Sequence, residues 1–225
     1  MEKAALLKDL ILGLDTCTRW LNLALLDWEG HLVAGTQEEV VTHTTRLVPA
    51  LDALFLSAGR SRGDLCAVGV VLGPGSFTGL RVGIAAAEGL SKGLGVPAFG
   101  LDSLAALAEA ATGEGTGLAL LDARRKQVYA GSFVREGDAV YSASLPVAIG
   151  PEEVLARMPG PSWAAGDGVT LVEGWPEGCI LSAGIPNLAV SAARNALRAL
   201  RDGRSPGVLT PLYVRAPDIR EPGGG

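Results

Sequence analysis

The sequence predicts an α/β protein with two similar lobes, each built in the order βββ-α-β-α. An apolar strand that ends in aspartate occurs twice, at residues 11–15 and 118–122, and each copy is followed by a polar turn and a second strand. Amphipathic helical segments then alternate with short apolar runs in both halves. The 225 residues, 48% of them hydrophobic, are ample for two lobes of roughly a hundred residues each. We predict lobes at residues 1–112 and 113–225.

The elements of the first lobe follow from turn residues and periodicity. A hairpin of two buried strands and a third, more polar strand precede an amphipathic helix. The tight turn Gly73-Pro74-Gly75 then separates a buried strand from a helix that Ser76 or Thr78 can cap. The predicted strands are residues 10–15, 20–27, 31–41, 66–72 and 96–99, and the predicted helices are residues 44–57, those following the turn to 90, and 103–111.

The second lobe repeats this order with a different sequence. Its predicted strands are residues 118–122, 127–134, 139–149 and 162–166, and its predicted helices are residues 151–158 and 187–201. We expect the last helix and the tail to pack back on the first lobe. The final glycines, Gly223 to Gly225, are expected to be disordered.

The helix after residue 76 has an unusual face of small residues. Gly79, Gly83 and Ala87 recur every four residues, and each glycine costs roughly 0.5 to 1 kcal/mol of helix stability relative to alanine. Such spacing permits close approach of another backbone, which indicates a packing or partner face. The predicted partner surface consists of Phe77, Thr78, Gly79, Arg81, Val82, Gly83, Ala86, Ala87 and Leu90.

The glycine-rich turn is a near miss for three chemical motifs. Gly73, Gly75 and Gly79 are spaced one residue too widely for the dinucleotide fingerprint, and no Gly-Lys-Ser/Thr follows to form a P-loop. A nucleophile elbow on Ser76 would need glycine at positions 74 and 78, which it lacks. Ser76 is therefore predicted to cap the helix, whose first amides could still bind an anion.

Charge and cysteine content restrict the class of protein further. A net charge of −5 argues against a broad phosphate-binding surface. Cys17, Cys66 and Cys179 form no C-x-x-C pair, which favours a reducing compartment, so we expect the protein to be cytoplasmic. The longest apolar stretch, residues 65–90, contains Arg81 and Glu88, so no membrane span is predicted.

Two βββαβα lobes with an aspartate at the end of the first strand resemble the duplicated fold of actin, sugar kinases and Hsp70-type ATPases. This resemblance implies that Asp15, Thr16 and Asp122 belong to a nucleotide cleft, possible here as a vestigial one. Turn capping is the alternative role for both aspartates. Gly166-Asp167-Gly168 is the candidate for a second phosphate loop. The resemblance also keeps a small-molecule kinase or ATPase open as an alternative function.

Five segments carry a more specific resemblance: Leu12–Thr18, His43–Pro49, Gly73–Arg81, Leu121–Arg125 with Val128-Tyr129, and Pro211–Arg215. They are similar to the bacterial TsaB (YeaZ) family of tRNA threonylcarbamoyladenosine biosynthesis proteins, which are paralogues of TsaD. The resemblance implies a non-catalytic subunit without a cofactor. It also implies a homodimer, a heterodimer with TsaD through first-lobe helices, and the ATPase TsaE as a further partner, with tRNA contacted through the complex.

Two further features bear on metal binding and on tRNA. The catalytic relatives carry H-x-x-x-H on the first helix, a spacing that places two imidazoles on one face to hold a metal. Here Leu47 follows His43, so we predict no metal site, which weakens a metallopeptidase-like hydrolase as a third hypothesis. The basic residues Arg124, Arg125 and Lys126 form either a solvated turn or a contact with a partner or with tRNA.

Overall fold

The computed structural model describes residues 8–215, which form two mixed β-sheets with a cavity between them. The predicted disordered glycines, Gly223 to Gly225, lie outside the described residues. Within residues 8–215, no helix has the length and apolar character needed to cross a bilayer.

The first sheet has the strand order β3-β2-β1-β4-β5. Its outer part, β3-β2-β1, is antiparallel, whereas β1, β4 and β5 run parallel. Strand β1 is buried along its whole length because both faces of the sheet are covered, as is usual where a sheet is parallel. The strands are β1 (Leu10–Asp15), β2 (Trp20–Leu26), β3 (Leu32–Glu39), β4 (Leu65–Val71) and β5 (Ala98–Leu101).

The second sheet repeats this topology. Its strands are β6 (Gly115–Arg124), β7 (Gln127–Glu136), β8 (Ala139–Ser142), β9 (Val147–Ile149), β10 (Trp163–Ala165) and β11 (Ile180–Ser182). The order β8-β7-β6-β10-β11 matches β3-β2-β1-β4-β5 strand for strand, with the same antiparallel and parallel halves. The extra strand β9 pairs with β7. The duplicated fold predicted from the sequence is therefore confirmed.

Three of the longer helices begin at side-chain caps, whereas the helix His43–Ser57 has no side-chain cap. Ser76 accepts a hydrogen bond from Gly79 N, Asp102 accepts from two amides, and Asn187 accepts from Ala189 N. The helices are α1 (His43–Ser57), α2 (Phe77–Leu94), α3 (Ser103–Ala110), α4 (Val154–Arg157) and α5 (Leu188–Arg201). Helices α1 and α2 lie side by side on one face of the first sheet. Of the two predicted caps for α2, the structure uses Ser76.

Helices α3 and α5 each cover the sheet of the other lobe. Helix α5 packs on β1, β2, β4 and β5, and its backbone lies so close that a Cβ at Gly13 or Gly69 would overlap carbonyl groups of α5. Helix α3 packs on β6 and β7 of the second sheet. Ser191 Oγ donates to Ala106 O at 2.9 Å where the two helices meet. A boundary at residue 112 therefore separates the two sheets but not the helices that cover them.

The second lobe differs from its prediction at three places. The predicted strand 139–149 is divided into β8 and β9, with Pro146, which lacks an amide donor, between them. The predicted helix 151–158 is a 3-10 turn, Pro151–Glu153, followed by the short α4. Strand β11 was not predicted, since its three residues are exposed at the sheet edge and form no amphipathic pattern.

Candidate functional site

A cavity of about 460 Å³ lies between the lobes. Its walls are formed by the β1–β2 turn, the start of α2, the β6–β7 turn and the C-terminal segment (Leu209–Arg215). The polar residues in its lining are Thr18, Arg19, His43, Ser76, Asp122, Arg124, Tyr129, Asp167, Tyr213 and Arg215. This volume is in the range of small-molecule sites, and cations and carboxylates both face it.

Asp15 does not line this cavity. Its carboxylate is fully buried and accepts hydrogen bonds from Cys17 N at 2.8 Å and from Asn22 Nδ2 at 2.7 Å. Burial raises the pKa of Asp15, although these hydrogen bonds oppose the rise. Thr16 is also buried and donates through Oγ1 to Gly79 O at 2.7 Å. The prediction that Asp15 and Thr16 belong to a nucleotide cleft is corrected by the structure. Both side chains instead form hydrogen bonds that hold the β1–β2 turn.

Asp122, the second predicted aspartate, does line the cavity. Its Oδ1 accepts from Arg124 N at 2.7 Å, and its own amide donates to Asp167 Oδ1 at 2.9 Å. The predicted phosphate loop around Asp167 is not an open glycine loop. A Cβ at Gly166 would overlap Leu120 O, and the Gly166 amide already donates to Ser182 O at 3.0 Å. These glycines therefore permit close packing on β6.

The small-residue face of α2 packs inside the chain. Gly79, Gly83 and Ala87 are buried, and a Cβ at either glycine would overlap Thr16. The close approach that the spacing predicted is present, but the backbone that approaches is the chain's own β1–β2 turn. These three residues are covered by the chain itself, which corrects their place in the predicted partner surface.

The outer side of α2 remains accessible. Thr78 and Arg81 are exposed, and Phe77, Val82, Ala86 and Leu90 are half-buried. The exposed residues of its later turns include Ala85, Gly89 and Gly93, and neither of these glycines has a neighbour near its missing Cβ. A second stripe of small residues therefore faces outward, two positions along from the predicted one.

His43 lies at the start of α1, where its Nε2 is 3.3 Å from Trp20 O. Leu47, at the position of a second imidazole, is buried in the first-lobe core. In residues 8–215, no group of three or more histidine, cysteine, aspartate or glutamate side chains is arranged to hold a metal ion.

The basic turn between β6 and β7 has a strained backbone. Arg124, Arg125 and Lys126 have φ angles of 63°, 52° and 59°, the left-handed region that costs roughly 1 to 2 kcal/mol per non-glycine residue. All three residues are exposed, and the guanidinium of Arg124 is 3.5 Å from the carboxylate of Asp122. Of the three basic residues, Arg124 lines the cavity.

The C-terminal segment is part of the site, although sequence reasoning gave it no role. Tyr213 stacks on Phe77 with ring centroids 5.0 Å apart, and Arg81 Nε donates to Tyr213 Oη at 3.1 Å. Arg215 Nη1 donates to Gln127 Oε1 at 3.1 Å, at the start of β7. The Pro211–Arg215 motif was the available signal, but local sequence does not reveal contacts across more than 80 residues.

The duplicated sheets, the exchanged helices and the cavity between the lobes define a two-lobed α/β protein of the actin, sugar kinase and Hsp70 fold. A family profile described as "TsaD: tRNA N6-adenosine threonylcarbamoyltransferase" matches residues 38–178, more than half of the chain. The "tRNA threonylcarbamoyladenosine biosynthesis protein TsaB" of Escherichia coli is 34% identical over 169 residues, covering 73% of this chain and 71% of that protein. The chain belongs to the TsaB/YeaZ family.

Two further relatives extend the similarity over nearly the whole chain. An uncharacterized protein of Mycobacterium tuberculosis is 33% identical over 216 residues, which is 93% of each chain. The solved structure of YeaZ from Pseudomonas aeruginosa has a TM-score of 0.77 and 27% identity, covering 91% of this chain and 99% of that chain.

Proposed function

We propose that the protein is a cytoplasmic, non-catalytic subunit that binds TsaD and supports formation of N6-threonylcarbamoyladenosine at position 37 of tRNA. Membership of the TsaB/YeaZ family supports this role, since the Escherichia coli relative is described as a threonylcarbamoyladenosine biosynthesis protein. The observation that carries the binding role is the exposed apolar surface on α1 and α2.

This helix surface contains residues that a monomer would ordinarily bury. Val48 and Leu56 on α1 are 60% and 83% exposed, and the neighbouring helix α2 carries the outward stripe that includes Ala85 and Gly89. Small residues on α2 let a partner helix approach closely, while large apolar side chains on α1 supply area to bury. The surface suits both a twofold homodimer and a heterodimer with the paralogue TsaD, whose fold is related.

A non-catalytic role is supported by the residues of this chain at the positions where the catalytic relatives bind a metal. Leu47 has no lone pair to donate to a metal, and its side chain is buried in the apolar core of the first lobe. Asp15 is held by Cys17 and Asn22 and does not reach the cavity. A kinase or ATPase is favoured only by Asp122 and Asp167, whose side chains reach the cavity lining.

In this proposal TsaE and tRNA are reached through the complex. The net charge of −5 provides no broad surface for tRNA, whereas the basic turn at Arg124 to Lys126 could add a local contact within a larger assembly. TsaE would bring ATP hydrolysis to the assembly, so this chain would need no nucleotide chemistry of its own.

Substitutions on the outward stripe test the proposal. Ala85→Arg and Gly89→Arg should weaken homodimerisation and TsaD binding at least tenfold, because a long cation would be buried at the centre of an apolar contact. The matched control is Ala110→Arg, an exposed alanine at the end of α3. Light scattering and co-purification with tagged TsaD give the readouts.

The same variants should lower threonylcarbamoyladenosine in tRNA from a strain depleted of the endogenous protein, measured by mass spectrometry. Asp15→Asn should leave most of the modified nucleoside. Unchanged partner binding by both arginine variants would refute the surface. Loss of the nucleoside in Asp15→Asn with normal TsaD binding, or ATP hydrolysis by the isolated chain, would refute the non-catalytic role.

A further inference from the structure

The C-terminal segment (Leu209–Arg215) contacts both lobes. Leu209 is buried in the first-lobe core, and Leu212 N donates to Leu72 O at 2.8 Å, just after β4. Three residues later the chain reaches the second lobe, where Arg215 donates to Gln127 at 3.1 Å. The segment thus crosses the cavity mouth, and residues 212–215 all contribute to the lining.

Its middle is fixed by an aromatic and cationic stack. The Tyr213 ring lies on Phe77, Arg81 Cζ lies 3.9 Å from the Phe77 ring centroid, and Arg81 Nε donates to the Tyr213 hydroxyl. Tyr213 is still 39% exposed, so these contacts form at the surface and can separate without opening the core. Val214 packs against the buried cluster that contains Cys17 and Leu104.

We infer that residues 211–215 act as a clasp that holds the two lobes together across the cavity, and that the cavity becomes accessible when Tyr213 and Arg215 are released. The attachment is weakest at Arg215, which is held by a side-chain hydrogen bond to Gln127, and at Tyr213, which is held by a half-exposed stack. Leu209 anchors the segment in the core, so release need not detach the whole chain end. This inference does not depend on TsaD binding.

Cys17 provides a probe that is already in place. It contributes to the cavity lining, its residue is 1% exposed, and its Sγ donates to Val71 O at 3.4 Å. The chain has three cysteines, so Cys66→Ser and Cys179→Ser leave Cys17 as the single thiol. The thiol is allowed to react with a chromogenic aromatic disulfide. The protection factor is the reaction rate of the urea-unfolded chain divided by that of the folded chain.

In this background, Tyr213→Ala and Arg215→Ala should each lower the protection factor at least tenfold. Tyr213→Phe should have a smaller effect, since it keeps the stack and removes the bond from Arg81. Gln127→Ala should match Arg215→Ala, and the double variant should add little, as expected for partners in one contact. The control is Tyr141→Ala, a 56% exposed tyrosine on β8, which should leave the rate unchanged.

Local release must be separated from global unfolding. At low urea concentrations, the free energy of opening derived from the Cys17 rate should depend less steeply on urea concentration than the free energy of global unfolding. The reason is that release of the clasp exposes little surface. The inference is overturned if Arg215→Ala and Gln127→Ala keep wild-type protection. It is also overturned if wild-type Cys17 reacts at the unfolded rate, or if the urea slope equals the global one. Should Tyr213→Ala fail to fold, the two surface variants still decide.

Discussion

The β1–β2 turn and the β6–β7 turn occupy equivalent places in the duplicated fold, yet their aspartates differ in environment. Asp15 is fully buried and accepts hydrogen bonds from a backbone amide and from Asn22. Asp122 is partly exposed, lies beside Arg124 and faces the cavity. Topology alone therefore does not determine what an aspartate at this position does.

The difference comes from the element that follows β4 in the first lobe and its equivalent strand, β10, in the second. In the first lobe this element is the 18-residue α2, whose glycines press onto Thr16 and close the turn. In the second lobe it is a 3-10 turn of five residues, Asp167–Leu171, which contributes Asp167 and leaves Asp122 open. A long helix buries the first turn, whereas a short one leaves the second turn accessible.

We expect the largest effect from adding one methyl group where α2 packs on the β1–β2 turn, because this packing keeps the first turn buried. Gly79→Ala places a Cβ against Thr16 O, a backbone atom that cannot rotate away, so we expect a loss of about 3 kcal/mol in the free energy of unfolding. Gly89→Ala on the same helix meets no neighbour and should gain about 0.5 to 1 kcal/mol. Urea denaturation measures both, and equal stabilities would refute the close contact.

Neutralising Asp15 should reveal the effect of its burial. Because its pKa is raised in the folded state, its favourable contribution is full below the unfolded pKa, near 4, and is lost as the pH rises through the folded pKa. Asp15→Asn removes this loss because the amide does not ionise. Asn22 Oδ1 is buried without a partner among the described residues. After rotation of the side-chain amide, it can accept a hydrogen bond from the new amide at position 15.

We therefore expect the stability of Asp15→Asn relative to wild type to increase from about pH 4 to about pH 7, by about 1.4 kcal/mol for each unit of pKa difference. Urea unfolding of both proteins across this range is the measurement. A pH-independent difference would show that the Asp15 carboxylate has the same pKa in the folded and unfolded chain.

Relieving the backbone strain of the β6–β7 turn should change the free energy of unfolding least. It should raise stability, whereas Gly79→Ala lowers it. Lys126→Gly should stabilise the protein by about 1 kcal/mol, since glycine adopts the left-handed φ of 59° without steric cost. Lys92→Gly, in the last turn of α2, should instead destabilise by about 1 kcal/mol. Thermal or urea unfolding distinguishes them, and a destabilised Lys126→Gly would mean that its side chain contributes more than its backbone strain costs.

Most of the fold was predictable because its strands are buried and its turns carry distinctive residues. The apolar run ending at Asp15 and the Gly73-Pro74-Gly75 turn both identify local structure directly. Strand β11 was not predictable, since a strand at the sheet edge lacks the hydrophobic pattern by which buried strands are recognised. The division of the third strand near Pro146 shows the same limit, as pairing with β7 is a tertiary property.

The site was less predictable than the fold. The sequence identified the small face of α2 and the need for close approach, but it could not distinguish a partner from the chain's own turn at Thr16. It placed Asp15 and Asp122 at equivalent strand ends, while their exposure depends on elements more than 40 residues away. Tyr213 and Arg215 came into the site through contacts with Arg81 and Gln127 that no local pattern encodes.

The exchange of α3 and α5 between the lobes has a consequence for biosynthesis. One face of the first sheet is covered by α5, which is synthesised about 130 residues after β4, a delay of roughly 7 to 26 s at about 5 to 20 residues per second. During that interval the nascent amino-terminal half exposes an apolar sheet with glycine grooves at Gly13 and Gly69. The first sheet therefore cannot bury this face until α5 has been synthesised, so its packing is completed only when nearly the whole chain has been made.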